Sequence, residues 1–219
     1  MKLVLFLCLL ALFAAALTSA RAGELVAIVE ESEGDTGDVQ LFDMVEAGTV
    51  ITLGSGGRLV LGYLRSCWRE TIAGGVVTVG IEQSAVQRGR VFRELVECDG
   101  GSLILSDALS DKSGAMAYRA APGDDSAAPP QVILFSLTPA FRYSGAATEV
   151  TVQRLDSATP PIVVALQGGA ADMAKTALRL APGGHYRATA GESQVTFAVD
   201  PLAEAEGGPL IGRIIFLDR

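Results

Sequence analysis

Histidine, tryptophan, cysteine and lysine are all scarce in this chain. The 219 residues hold one His, one Trp, three Cys and only three Lys: Lys2, Lys112 and Lys175. A Ser-His-Asp or Cys-His system would have to use His185, and no Gly-x-Ser-x-Gly nucleophile elbow is present. One His with few cysteines also leaves no zinc-ligand set, so no metal site is expected. Beyond the first 22 residues no apolar run approaches the roughly 20 residues that span a bilayer, so no membrane span is expected in the mature chain. Positive charge is in short supply as well: 17 Lys+Arg stand against 25 Asp+Glu. That balance argues against a nucleic-acid partner, whose phosphates call for clustered cations.

What is present begins with an address. Lys2 opens a short positive start, residues 3–17 are an apolar run containing Cys8, and Ala20-Arg21-Ala22 offers small residues at the two positions a signal peptidase reads. Residues 1–22 are therefore expected to be a signal peptide cleaved before Gly23. Cys8 lies inside its apolar core after Phe6 and Leu7, which does not suit lipidation. Cleavage removes Lys2 and Arg21 and no acid, leaving 197 residues at net charge −10. The expected location is periplasmic or secreted. The mature chain keeps Cys67 and Cys98, an even pair in an oxidising compartment. A disulfide between them is expected, with two buried thiols as the alternative. Closing that loop would contribute on the order of 3–4 kcal/mol in the chain-entropy picture.

Almost every segment after the signal reads as strand, and the fold class is all-β. Short apolar runs at 25–29 and 39–42 flank an acidic, Gly-containing stretch at 30–38 that reads as a loop. Strands follow at 49–53 and 58–64, separated by the Gly54–57 cluster, which reads as a tight turn. Residues 58–64 are apolar on both faces, as expected of a strand buried between layers. Residues 67–72 and 76–81 flank Ala73-Gly74-Gly75 and read as a hairpin, because glycine supplies the positive φ of hairpin turns. Residues 85–89 and 91–98 come next, then a turn at Asp99-Gly100-Gly101 and a strand at 103–105. The composition changes from Ser106 to Pro130, where Ala, Asp, Ser, Gly and Pro read as a linker; a short helix at 107–118 is the alternative. Strands resume at 132–137, 149–155 and 162–166. Residues 172–180 could be helix or strand. Residues 185–189 and 194–199 form a hairpin, and 210–217 is a closing strand. Short strands with turn signals between them suit a sandwich.

The residue patterns that point to chemistry also have structural readings. Asp35-Thr36-Gly37 spells an aspartic-protease triplet and Leu210-Ile211-Gly212-Arg213 echoes its supporting segment, but an acidic turn is the better reading. The acidic stretches 30–38 and 124–125 lack EF-hand spacing, and Gly54–57 lacks the Gly-Lys-Ser/Thr ending of a phosphate loop. His185 reads as a turn residue. Trp68, beside Cys67, either packs on the disulfide and core or offers a binding contact.

Residues 24–106 resemble the FecR-like periplasmic domain. The resemblance is carried by Gly37-Asp38-Val39, then by Glu46-Ala47-Gly48-Thr49-Val50-Ile51-Thr52-Leu53-Gly54-Ser55. It continues through Arg58-Leu59-Val60-Leu61-Gly62-Tyr63, Val76-Val77-Thr78-Val79-Gly80 and Val86-Gln87-Arg88-Gly89-Arg90-Val91. Signalling members of that family carry a cytoplasmic anti-sigma segment and a transmembrane helix ahead of this domain. A cleavable signal stands there in this chain, so sigma-factor signalling is not carried over. The resemblance implies an all-β periplasmic module used for binding or scaffolding. The second half looks like an immunoglobulin-like or fibronectin-type sandwich, through Phe135-Ser136-Leu137-Thr138-Pro139 and Leu180-Ala181-Pro182-Gly183-Gly184-His185-Tyr186-Arg187. The expected organisation is a signal at 1–22, a FecR-like β-domain at 23–106, a linker at 107–130 and an Ig-like β-sandwich at 131–219. The expected role is a non-enzymatic envelope module without cofactor or metal, whose partner is an envelope protein or polymer. The alternatives are a sensor or adaptor subunit of a membrane signalling protein and, third, an envelope hydrolase.

Overall fold

The fold is that of a computed structural model, and the structure describes residues 23–96, 130–205 and 209–217. The signal segment, Cys98, the turn at 99–101, the strand at 103–105 and nearly all of the linker with its alternative helix lie outside those residues. The protein is all-β: every named element is a strand apart from two short 3-10 turns.

The first half is one antiparallel sheet of six strands, β1 (Leu25–Glu33), β2 (Met44–Glu46), β3 (Val50–Tyr63), β4 (Trp68–Thr78), β5 (Ala85–Gln87) and β6 (Arg90–Leu95). The order is β2-β1-β3-β4-β5, with β6 also on β4. Alternation explains β3: Ile51, Leu53, Leu59, Leu61 and Tyr63 all turn into one core with Val26, Val29, Ile72 and Val77. On the other face Val60 and Leu64 are also buried, so the doubly apolar run does lie between layers.

Two expected reversals are absent. Residues 54–57 do not turn the chain; β3 runs straight through them, and they bulge opposite β4, where Leu53 pairs with Gly75 and Arg58 with Ala73. The bulge accommodates the 34–38 turn. Gly54 N–H bonds to Asp35 O at 2.9 Å, and a Cβ on Gly57 would overlap that same carbonyl. Ala73-Gly74-Gly75 likewise kinks one continuous β4, with φ of 65° and 87° at the two glycines. The kink lets β4 pair with β6 over Trp68–Ala73 and with β5 over Val76–Thr78.

The boundaries near β1 shift too. β1 continues to Glu33, because Glu31, Ser32 and Glu33 pair with Val60, Leu59 and Arg58, and Arg58 forms ion pairs with both glutamates. Residues 39–42 form a turn rather than a strand, and the strand falls at β2.

The second half is a two-sheet sandwich. One sheet, in the order β10-β9-β12-β13-β7, comprises β7 (Val132–Ser136), β9 (Glu149–Arg154), β10 (Ile162–Ala165), β12 (His185–Ala190) and β13 (Ser193–Glu204). The other, in the order β11-β8-β14, comprises β8 (Ala140–Arg142), β11 (Ala170–Asp172) and β14 (Ile214–Phe216). The ladders are antiparallel except β7 on β13 and β14 on β8, which are parallel. Both sheets feed one core, with Leu134, Val150, Val152, Ala188 and Phe197 meeting Phe141, Ala171 and Ile215. Tyr186 stacks on Phe197 at 5.4 Å between centroids, and its hydroxyl bonds back to Ala181, accepting from N–H at 2.9 Å and donating to C=O at 3.0 Å. Residues 172–180 hold neither a full helix nor a strand: Asp172 caps a 3-10 turn at Met173–Lys175. The expected strand at 210–217 starts late, because Pro209 and Gly212 set a 3-10 turn at Leu210–Gly212 first.

A charged cleft at the junction of the two halves

The halves meet through side chains that neither needs for its own core. Ile28, Phe42 and Leu64 of the first half pack against Ala140, Ala170 and Ile214 of the smaller second sheet. Phe42 reaches this cluster from a left-handed backbone, φ 69°, which a bulky residue adopts only when its surroundings enforce it. Here two bonds enforce it: Phe42 N–H donates to Val29 O at 2.8 Å, and Val29 N–H to Asp43 O at 2.9 Å.

Beside this cluster Arg142 bridges the halves. Its Nη2 donates to Asp43 Oδ1 at 2.8 Å and to Gln40 Oε1 at 2.9 Å, and its Nε donates to Asp43 Oδ1 at 3.0 Å. Nη1 donates to the carbonyl of Tyr143 at 3.1 Å and, more distantly, to those of Gly168 and Gly169. A planar guanidinium can satisfy several fixed acceptors at once, as no lysine could.

Next to this contact a cleft of about 460 Å³ opens, walled by Glu30, Glu31, Arg58, Arg69 and Glu94 from the first half and by Asp172, Lys175 and Arg213 from the second. Each carboxylate in it is held by an arginine. Arg69 Nε lies 2.6 Å from Glu30 and its Nη1 3.6 Å from Glu94, while Arg58 Nη1 lies 2.5 Å from Glu31. Arg213 grips Asp172 with both terminal nitrogens, at 2.5 and 3.0 Å. Burial would push the Asp172 carboxyl up, but the Arg213 hydrogen bonds and charge, with the Ala174 N–H, hold it below the usual carboxylate range. Lys175 stands exposed on the wall, with no ion pair among the described residues.

Of the candidate residues from the sequence, Leu210 and Arg213 of the 210–213 segment line this cleft, with Glu30 and Glu31, and the others lie elsewhere. Cys67 is half-buried at the turn before β4, with φ 58°, and its carbonyl accepts from Val96 N–H at 3.0 Å. Cys98 lies outside the described residues. Trp68 pairs across the sheet with Leu95 and packs against the first core. His185 opens β12 half-buried, away from the cleft. Asp35, Thr36 and Gly37 form the turn over the β3 bulge, with Thr36 Oγ1 hydrogen-bonded to Ser32 at 2.7 Å. Of the expected acidic loop, Glu30 and Glu31 do reach the cleft, but as strand residues. Among the described residues no three His, Cys, Asp or Glu side chains are grouped to hold a metal ion, and no helix is long and apolar enough to cross a membrane.

One polar cluster has no counterpart in the sequence patterns. Glu70 is fully buried beneath β4, where it accepts Arg93 Nε at 2.5 Å and the Ser84 N–H at 3.1 Å on each oxygen. Arg93 Nη2 also donates to Ser84 O, and Ser84 Oγ shares a hydrogen bond with Tyr63 at 2.8 Å. Burial pushes the Tyr63 hydroxyl up to about 12, against the pull of the Ser84 hydrogen bond. The one signal in the sequence is phase: Glu70 shares the inward register of Trp68 and Ile72. Comparison of the chain with family models, characterised proteins and solved structures finds no match.

Proposed function

We propose that this chain is an exported, non-enzymatic binding or scaffolding module of the bacterial envelope, a FecR-like β-domain joined to an Ig-like sandwich, that receives its partner in the junction cleft. The observation that carries this reading is the state of the cleft's carboxylates. A hydrolase working through two acids needs one of them raised so that it holds a proton near neutrality. Here every acid in the cleft is paired with an arginine, and Asp172 is moved the other way. A cleft between two packed units, carrying fixed charges of both signs, suits recognition of a polar partner surface. The bond from the Tyr186 hydroxyl back to Ala181 supports the Ig-like reading, since such sandwiches carry a tyrosine corner of this kind at a late strand. The Val96–Cys67 backbone bond brings the chain within two residues of Cys98, which supports a Cys67–Cys98 disulfide; thiol titration of the unfolded chain should find neither cysteine free.

The test is a crosslinked pulldown from Gram-negative envelope extract, run with the exported chain and with Lys175→Glu, followed by binding and cleavage assays on purified envelope glycan. The reading expects one defined envelope protein or glycan, retained by the parent and lost from the variant. Retention that Lys175→Glu does not change overturns the cleft as the site. Cleavage of the glycan overturns the non-enzymatic reading. A single membrane receptor recovered from detergent extract would favour the sensor or adaptor reading.

A further inference from the structure

The floor of the junction cleft is the outer face of the first sheet, and the pairing registers fix what stands on it. Thr71 of β4 pairs with Val60 of β3 on one side and with Phe92 of β6 on the other. Directly paired residues share a face, and Val60 and Thr71 line the cleft, so Phe92 continues the same row. Neighbouring positions agree. Glu94, two residues along β6, also lines the cleft, while Glu70 and Ile72 of β4 turn to the opposite, buried face. The Phe92 side chain is left 65% exposed. The next row across the sheet is Gly62, Arg69 and Glu94. Here the Glu30 carboxylate lies over Gly62, where a Cβ would overlap it, and meets Arg69 Nε at 2.6 Å. On the other side of the apolar row stands Arg58, 2.5 Å from Glu31. The floor is thus an apolar strip running across β3, β4 and β6, with an arginine–glutamate pair along each side.

We propose that this strip binds an uncharged glycan, with a sugar ring laid flat on Phe92 and its hydroxyls on the flanking pairs. The inference rests on the cleft being the binding site, and it names the class of partner. Charge selects it first. Four carboxylates and four cations line the cleft, so it carries no net charge in a chain of formal net charge −8. A balanced site exerts no pull on an anionic or a cationic partner. Unspent hydrogen-bonding capacity selects it next. Among the described residues Arg58 donates only through Nη1, to Glu31, and Glu30 accepts only through Oε2, from Arg69. The Nε and Nη2 groups of Arg58 and Oε1 of Glu30 are left for a ligand. A hydroxyl donates and accepts at once, so neighbouring sugar hydroxyls can bridge a guanidinium and a carboxylate held side by side. The apolar row completes the match, because a pyranose presents C–H groups on its face, and these pack on the electron-rich face of an aromatic ring. An extended peptide is the poorer occupant. The floor is a sheet face whose main-chain groups are spent in the ladders, so a peptide laid on it gains none of the backbone bonds that strand addition supplies.

The experiment is isothermal titration calorimetry of the exported protein with two neutral probes, the β-linked tetramers of glucose and of N-acetylglucosamine, each taken to about 10 mM. Polygalacturonate serves as the anionic comparison, and each titration is run at about 50 and about 500 mM salt. At least one neutral tetramer should bind, with an affinity that salt leaves nearly unchanged. Phe92→Ala, at a site exposed enough to leave the melting temperature unchanged, should weaken it roughly tenfold, and Phe92→Trp should retain it. Failure of both tetramers to bind overturns the proposal. So does tighter binding of polygalacturonate that collapses with salt, or tetramer binding that Phe92→Ala leaves intact. The two readings fail separately. If the envelope pulldown retains a protein that Lys175→Glu releases while neither tetramer binds, the cleft stands as the site and the glycan inference falls. Tetramer binding that neither Phe92→Ala nor Lys175→Glu alters removes the cleft reading as well.

Discussion

Replacing Arg142 with alanine should loosen the two halves from one another. The residue is 7% exposed and donates to Asp43, Gln40 and three backbone carbonyls. Truncation strands the Asp43 carboxylate, whose side chain is 29% exposed, beside carbonyls that have lost their donor. Removing one partner of a fully buried ion pair costs about 3–5 kcal/mol. Asp43 keeps some water and keeps the Gln40 N–H at 2.8 Å, which places the cost near the lower end, about 3 kcal/mol. Against a typical total of about 5–15 kcal/mol that is a large fraction, and at about 2–4 °C per kcal/mol it lowers the melting temperature by about 6–12 °C. Urea unfolding followed at once by Trp68 fluorescence and by far-ultraviolet circular dichroism measures it, because the sole tryptophan lies in the first half. In the parent the two probes should trace one transition. In the variant the midpoint should fall and the probes should separate. A loss under about 1 kcal/mol, or a double-mutant cycle with Asp43→Asn showing coupling below about 0.5 kcal/mol, would refute the reasoning.

Three further expectations follow from the first sheet. Gly75→Ala should be far more costly than Gly74→Ala: both have positive φ, but a Cβ at Gly75 overlaps Gln87 O and Gly89 N, whereas one at Gly74 meets nothing within 4 Å. Thermal melts should put Gly74→Ala near 1 kcal/mol and Gly75→Ala at about twice that or more. Glu70→Ala should destabilise by about 3 kcal/mol, since it leaves Arg93, itself 31% exposed, without its buried anion, while Glu70→Leu/Arg93→Leu should lose less; urea midpoints compare them. The Tyr63 contribution should depend on pH. The folded group holds its proton up to about 12, above the ordinary value of 10.0, so the unfolded chain ionises first as pH rises. Stability is then intact below pH 10 and falls by on the order of 2 kcal/mol on approach to pH 12. Phenolate absorbance and urea midpoints across that window test it, and Tyr63→Phe should flatten the slope.

Much of the strand pattern was legible in the sequence, and the two false reversals share one cause. Ala73-Gly74-Gly75 and Gly54–57 read as reversals because glycine signals positive φ, and a bulge or kink in a continuous strand needs the same φ as a hairpin turn. What separates the two is partner strands: β5 and β6 both dock on β4 only if it runs on unbroken. The hairpin of β12 and β13 was legible because Gly191 lies between two long alternating runs. β8 and β11 were not, since three residues such as Ala140-Phe141-Arg142 are too short to show a period. The all-β class itself survives these errors, because alternation and turn chemistry agree along most of the chain. The cleft was illegible in principle. Its walls come from residues 30, 58, 94, 172 and 213, brought together by the packing of two sheets; of the candidate stretches only the acidic one, with Glu30 and Glu31, and Leu210–Arg213 reach it, and neither for the chemistry its sequence suggests. Trp68 is conspicuous in the sequence by rarity, yet its environment is a core edge.

β14 is the last of the described strands to be synthesised, yet Ile214 pairs in parallel with Ala140 and packs beside Ile28 and Phe42. Until residue 216 has been made, the apolar outer face around Ile28 and Leu64 lacks Ile214, the bulkiest buried part of its cover from the second half, and β8 lacks one of its neighbours. A chain emerging amino-end first therefore exposes this surface throughout its own elongation. Closure across so long a separation is slow compared with the local antiparallel ladders of the first sheet. The vulnerable species is a nascent chain whose first half is already folded, and it is this species, rather than the finished protein, that a holdase would need to shield.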